Sequence, residues 1–125
     1  MQNYRQLAVW RKAHVAAANA HRATEAIPPR GNAELIGQMR RAALSMPANI
    51  AEGCGRSSDV DFAKFVQIAI GSTTELEYNF DFAAEIGLLK REEVERRQAE
   101  IVEVRRMLIG LLKKLRPPKS GPAQS

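Results

Sequence analysis

Arg40 and Arg41 lie side by side among alanines, Arg56 follows a glycine, and Arg96, Arg97, Arg105, Arg106, Lys113 and Lys114 recur along the last third of the chain. These are the residues whose type and spacing could do chemistry. A guanidinium is a planar fork that can place two N–H donors on one phosphate or carboxylate. The charge layout sharpens the point. Residues 1–58 hold eight Arg/Lys against three Glu, residues 59–89 hold one Lys against six Asp/Glu, and residues 90–125 hold ten Arg/Lys against five Glu. Two readings follow. The basic ends neutralise the acidic middle between packed helices or subunits, or they leave a basic surface that meets phosphates. Arg41 is expected to be structural, paired with Glu52 or with a carboxylate of the acidic segment. Arg56 is expected to cap carbonyls at a helix end. Aromatic residues interleaved with the basic ones are absent, so any nucleic-acid contact is expected to be directed at the backbone and sensitive to salt.

Other chemistries find less support. His14 and His21 are seven residues apart, two helical turns or about 10 Å, too far to share one ion. The residues three before them are Arg11 and Ala18, so the Glu-x-x-His pairs of di-iron bundles are missing. His14 is expected to pack beside Trp10. Cys54 falls just past a helix C-terminus, where the dipole does not favour a thiolate. Glu75, Glu77, Asp81 and Glu85 are spread around their helix and read as solvated or salt-bridged carboxylates. No metal, cofactor or catalytic set is expected, and the chain reads as a non-enzyme.

The elements that would position these residues are helices. Val9, Ala13, Ala16, Ala20, Ala23 and Ile27 recur at helical steps, and with Asn3 as cap they predict a helix over about 4–26. Pro28, Pro29 and Gly31 break it. Asn32 is the expected cap of a second helix with a buried side of Leu35, Ile36, Met39, Ala42, Ala43, Met46 and Ile50. Pro47 sits inside that pattern and predicts a kink. Gly53 reads as the C-cap glycine. Asn49 and Glu52 lie near the buried stripe and are expected to form a polar network with Arg41. Ser57, Ser58 or Asp59 caps a third helix to about Ile86. It carries one apolar stripe of Phe62, Phe65, Ala69, Ser72, Leu76, Phe80 and Ala83, and a second of Ile68, Gly71, Tyr78, Phe82 and Ile86. Two apolar faces imply a central helix or one that also faces another subunit, and Gly71 implies a close helix crossing. Gly87 stops it. A fourth helix over about 90–115 has Val94, Ile101, Val104, Leu108, Leu111 and Leu115 on one face, and Glu92–Arg96 and Glu93–Arg97 are spaced for ion pairs. The expected architecture is all-α: an antiparallel up-down-up-down four-helix bundle over residues 1–115, with a disordered Pro/Gly/Ser-rich tail over 116–125.

Composition agrees. Apolar residues make up 45% of the 125 and charged residues 26%, in the ordinary range for one globular domain. No apolar run approaches the roughly 18 residues of a membrane span. A single cysteine and no signal-peptide order imply a reduced thiol in a cytoplasmic protein.

Three strings carry a resemblance: Leu7-Ala8-Val9-Trp10-Arg11-Lys12-Ala13, the run from Gln38 to Gly53 (QMRRAALSMPANIAEG), and Phe65 to Ser72 (FVQIAIGS) followed by Glu75-Leu76-Glu77. In order and over residues 4 to about 115, the chain resembles the 23S rRNA-intervening sequence protein family, a family of four-helix bundles. It departs at 28–33, PPRGNA, where the family has one proline and a short acidic segment. The resemblance implies a homopentameric ring and no established activity, with a context of ribosomal RNA. In that setting Trp10, Arg41, Pro47, Asn49, Glu52 and Gly53 read as structural. Arg40, Arg56 and the basic residues of the fourth helix remain as nucleic-acid candidates, with RNA favoured over DNA. The alternative is a scaffold that binds another protein.

Overall fold

Asn3 is the first described residue, but it does not open the long helix its capping implies. Its side chain accepts from the Arg5 backbone N–H at 3.1 Å and starts a 3-10 turn over Tyr4–Gln6. Leu7 is then extended (φ −81°, ψ 126°), and α1 runs over Ala8–Thr24. The break folds the Tyr4 ring edge-on against Trp10, with centroids 4.8 Å apart, and turns Leu7 onto the core. These are tertiary contacts, and they override the helical period of the first residues.

The computed structural model describes residues 3–115, so the tail expected over 116–125 lies outside the described residues. After α1, the Pro28-Pro29 connection turns at Gly31, whose φ of +84° is left-handed. Asn32 does not cap α2 with its side chain. It donates instead to the Pro28 carbonyl at 2.9 Å, tying the loop to itself. Helix α2 covers Ala33–Cys54 and continues through the buried Pro47. Proline removes only one backbone donor, and the apolar stripe on both sides of it stays packed.

Gly53 is not the cap. It lies inside α2 against the incoming third helix, and a Cβ there would sit 2.6 Å from Phe62 Cδ1 and 3.1 Å from Phe65 Cβ. Gly55 follows α2 with a right-handed φ of −81°, so no left-handed glycine ends this helix. Helix α3 spans Asp59–Glu85, with Ser58 Oγ accepting from the Asp61 N–H at 3.2 Å as its cap. Gly87, at φ +81°, stops it as expected. Helix α4 spans Arg91–Leu115.

Each helix packs on its neighbour in the chain, and α4 closes onto α1, which makes a four-helix bundle; among the described residues there is no strand. The α1 stripe is small (Ala13, Ala16, Ala20), and the volume is made up by Met39, Met46 and Ile50 of α2, Val66, Leu76 and Phe80 of α3, and Ile101, Val104 and Leu108 of α4. Val66, Thr73 and Asn79 are also buried on α3, beyond the expected stripe. The second α3 stripe faces outward. Ile68, Tyr78, Phe82 and Ile86 are 51%, 63%, 41% and 49% exposed. A Cβ on Gly71 would meet nothing within 4 Å, so no helix of this chain crosses closely there.

Candidate nucleic-acid interface

The arginines of α4 are neutralised where they stand. Arg96 Nη2 donates to Glu93 Oε1 at 2.6 Å, and Arg106 Nη1 to Glu103 Oε1 at 3.2 Å. Arg97 lies between Glu93 (3.4 Å) and Glu100 (3.2 Å). Both terminal nitrogens of Arg105 donate to Glu77 Oε1 at 2.7 Å, which ties α4 to α3. Arg91 adds a looser tie to Asp81 at 3.4 Å. Glu92 does not pair with Arg96, because Glu93 takes that position at i,i+3. Lys113 and Lys114 are exposed at the far end of α4, with no carboxylate partner among the described residues.

Arg56 does not cap carbonyls. Its guanidinium donates to Glu52 Oε2 at 2.8 Å and lies over the Phe65 ring, 4.7 Å from the centroid. Glu52 is thereby taken, and the expected network with Arg41 does not form. The Asn49 amide donates to the Ser45 carbonyl (2.9 Å) and hydroxyl (2.8 Å), and Ser72 of α3 donates to the same hydroxyl at 2.7 Å. That small polar seam joins α2 to α3 without any arginine. Arg41 is left exposed.

Arg40 is different again. It is half-buried, and its Nε donates to Thr24 Oγ1 at 2.8 Å. The Thr24 hydroxyl donates in turn to the His21 carbonyl at 2.6 Å. The fork of Arg40 is therefore held from one side by a buried, fully engaged hydroxyl. Beside it, an open groove of about 520 Å³ runs between α1 and α2. Ala17, Ala43 and Pro47 form its buried floor, and His14, Ala18, His21, Arg40, Arg41 and Leu44 stand around it. His14 stacks flat on Trp10, with centroids 4.7 Å apart and planes at 14°.

Among the described residues, every Lys and Arg before Arg56 (Arg5, Arg11, Lys12, Arg22, Arg30, Arg40 and Arg41) lacks an ion pair with a carboxylate. Most of the cations without an ion pair thus lie in the first two helices, the turn before them and their connection, with Lys90, Lys113 and Lys114 the others among the described residues. Of the expected nucleic-acid candidates only Arg40 lies at this groove, beside Arg41, which was expected to be structural. The rest of it was not found from sequence. The seven-residue step from His14 to His21 did signal a shared helix flank, whereas nothing in the sequence links Thr24 to Arg40.

The other reactive groups are quiet. Cys54 is buried, and burial pushes its thiol above the ordinary pKa. Among the described residues no three of His, Cys, Asp and Glu converge as a metal site would require.

A model of the 23S rRNA-intervening sequence proteins matches residues 5–110. The chain belongs to this family. A solved structure similar to it is that of a protein of unknown function from the S23 ribosomal protein family of Bacteroides thetaiotaomicron VPI-5482. The two superpose with a TM-score of 0.76 at 23% identity, covering 84% of this chain and 98% of the other. At that identity the likeness establishes the bundle fold. No match was found among the curated proteins. Within the family match lie all four helices up to residue 110, and with them the α1–α2 groove.

Proposed function

We propose that this member of the 23S rRNA-intervening sequence family is a non-enzymatic, cytoplasmic homo-oligomer that binds nucleic acid, RNA before DNA. The observation that carries the reading is the uneven neutralisation of charge. The α4 arginines already hold carboxylates, and a phosphate would have to displace them. The cations of α1 and α2 hold none, so they are free to replace the counterions of a phosphate backbone. The binding surface is therefore assigned to α1 and α2, with Lys113 and Lys114 as a lesser site. Arg96, Arg97, Arg105, Arg106 and Arg56 act in structure.

Self-association is proposed through the outward stripe of α3. Ile68, Tyr78, Phe82 and Ile86 lie exposed along one side of α3, with Gly71 leaving it indented and Glu75 as a charge within it. A contact that joins this row to a different face of the next copy closes into a ring, and a pentamer is the favoured closure. No helix of the described residues is long and apolar enough to cross a membrane.

A mobility-shift titration with structured RNA at two salt concentrations tests the binding. A shift that weakens steeply with salt is expected; no shift at low salt refutes it. Native mass spectrometry tests the assembly, and a monomer alone refutes it. The same α3 row also favours a second reading, a scaffold for another protein. Recovery of a protein partner after nuclease treatment, with no RNA shift, would support that reading instead.

A further inference from the structure

We infer that the groove between α1 and α2 seats a single nucleotide of a bound strand, its phosphate on Arg40 and Arg41 and its base against the alanine–proline floor. The inference rests on the nucleic-acid reading above and gives that surface a pocket. With Nε engaged by Thr24, the remaining Arg40 donors are its two terminal nitrogens, held in a fork at the groove. The ordering cost of that side chain is already met in the free protein, which favours binding. Arg41 brings a second, exposed guanidinium. It lies back along α2 over Gly37, with Nη1 3.2 Å from where a Cβ on that glycine would stand. No carboxylate lines the groove. The floor of Ala17, Ala43 and Pro47 lacks long side chains, and the volume of about 520 Å³ is in the range of small-molecule sites. A cationic head beside a short apolar floor complements the two ends of a nucleotide, its anionic phosphate and its base. Besides the two arginines, the polar side chains that line the groove are His14 and His21.

Trp10, the one tryptophan of the chain, stacks on the groove residue His14 and reports occupancy through its fluorescence. The 125-residue chain is titrated with uridine 5′-monophosphate, uridine and inorganic phosphate. The monophosphate is expected to bind saturably, and each fragment at least about ten-fold more weakly, as loss of a charged hydrogen bond or of the apolar contact implies. Arg40→Gln should weaken the monophosphate by about ten-fold or more and leave uridine unchanged. Ala18→Phe, which fills the groove from its half-exposed edge, should abolish monophosphate binding even if Arg40→Gln fails to fold. Equal binding of inorganic phosphate and monophosphate, or wild-type affinity in both variants, overturns the seat. So does displacement of the monophosphate by an acidic amphipathic peptide but not by RNA. An RNA shift without monophosphate binding overturns the seat and leaves the nucleic-acid reading standing. Monophosphate binding without an RNA shift overturns that reading, and the seat for a strand with it.

Discussion

Gly53→Ala and Gly71→Ala are the same chemical change at two mid-helix positions, and the structure expects opposite results. In an open helix interior, alanine is favoured over glycine by about 1 kcal/mol, because glycine loses more backbone freedom on folding. At Gly71 a Cβ meets nothing within 4 Å, so the isolated bundle should gain about 0.5–1 kcal/mol. At Gly53 the same Cβ would lie 2.6 Å from Phe62 Cδ1, 3.1 Å from Cε1 and 3.1 Å from Phe65 Cβ. Phe62 is only 6% exposed, so its ring has little room to yield. Overpacking of this kind costs roughly 1–3 kcal/mol, and three close contacts place it at the upper end. Against the propensity gain, a net loss of about 2 kcal/mol is expected. Urea denaturation followed by circular dichroism measures both at fixed protein concentration, with unchanged slope as the check on two-state behaviour. A Gly53→Ala variant as stable as the parent would refute the close approach of α2 and α3. Native mass spectrometry of Gly71→Ala adds a second test: loss of assembly despite a more stable bundle is the outcome expected if the α3 row packs on another copy.

Other sites give sharper single readings. The Arg105–Glu77 pair is 22% and 32% exposed and joins two helices, so a double-mutant cycle to glutamine should show a coupling of about 1 kcal/mol. The Arg106–Glu103 pair, 74% and 42% exposed, should show at most about 0.3 kcal/mol. The buried Nδ2 of Asn79 donates to nothing, so Asn79→Leu should stabilise the bundle by about 1 kcal/mol in the same denaturation assay. Burial raises the Cys54 pKa, so alkylation by iodoacetamide at neutral pH should be slow in the folded chain and fast in urea. The sign for stability follows: this contribution is complete below the ordinary thiol pKa and is lost as pH rises through the folded value, where the unfolded chain ionises first.

Where a feature is set by the chain's own period or by a neighbour in sequence, it could be read without coordinates. The stripes from Val9 to Ala23, Met39 to Ile50 and Val94 to Leu108 are of this kind, as are the Ser58 cap, the Gly87 stop and the Trp10–His14 stack. Features decided by another helix could not. Gly53 at the end of an apolar pattern has the look of a cap, yet it is a glycine because Phe62 of the next helix arrives there. Leu7 sits inside a helical period, yet the packing of Tyr4 on Trp10 breaks it. The partners of the arginines were the least legible. Glu93 can reach Arg96 or Arg97, Arg105 meets Glu77 from 28 residues away, and Arg40 meets Thr24 from 16 away. Pattern reading located the basic residues but could not tell the cations that hold carboxylates from those that hold none.

The dependence of RNA affinity on salt, compared between two sets of variants, tests the central claim most directly. One set removes free cations (Lys12→Gln, Arg40→Gln, Arg41→Gln), and the other removes paired ones (Arg96→Gln, Arg106→Gln). Each phosphate contact contributes about 0.7–0.9 to the slope of log affinity against log salt. Loss of the first set should therefore flatten the slope by about 2–3, and loss of the second should leave it within about 0.5 of the parent. A slope unchanged by the first set and flattened by the second would contradict the assignment of the phosphate-binding surface to α1 and α2.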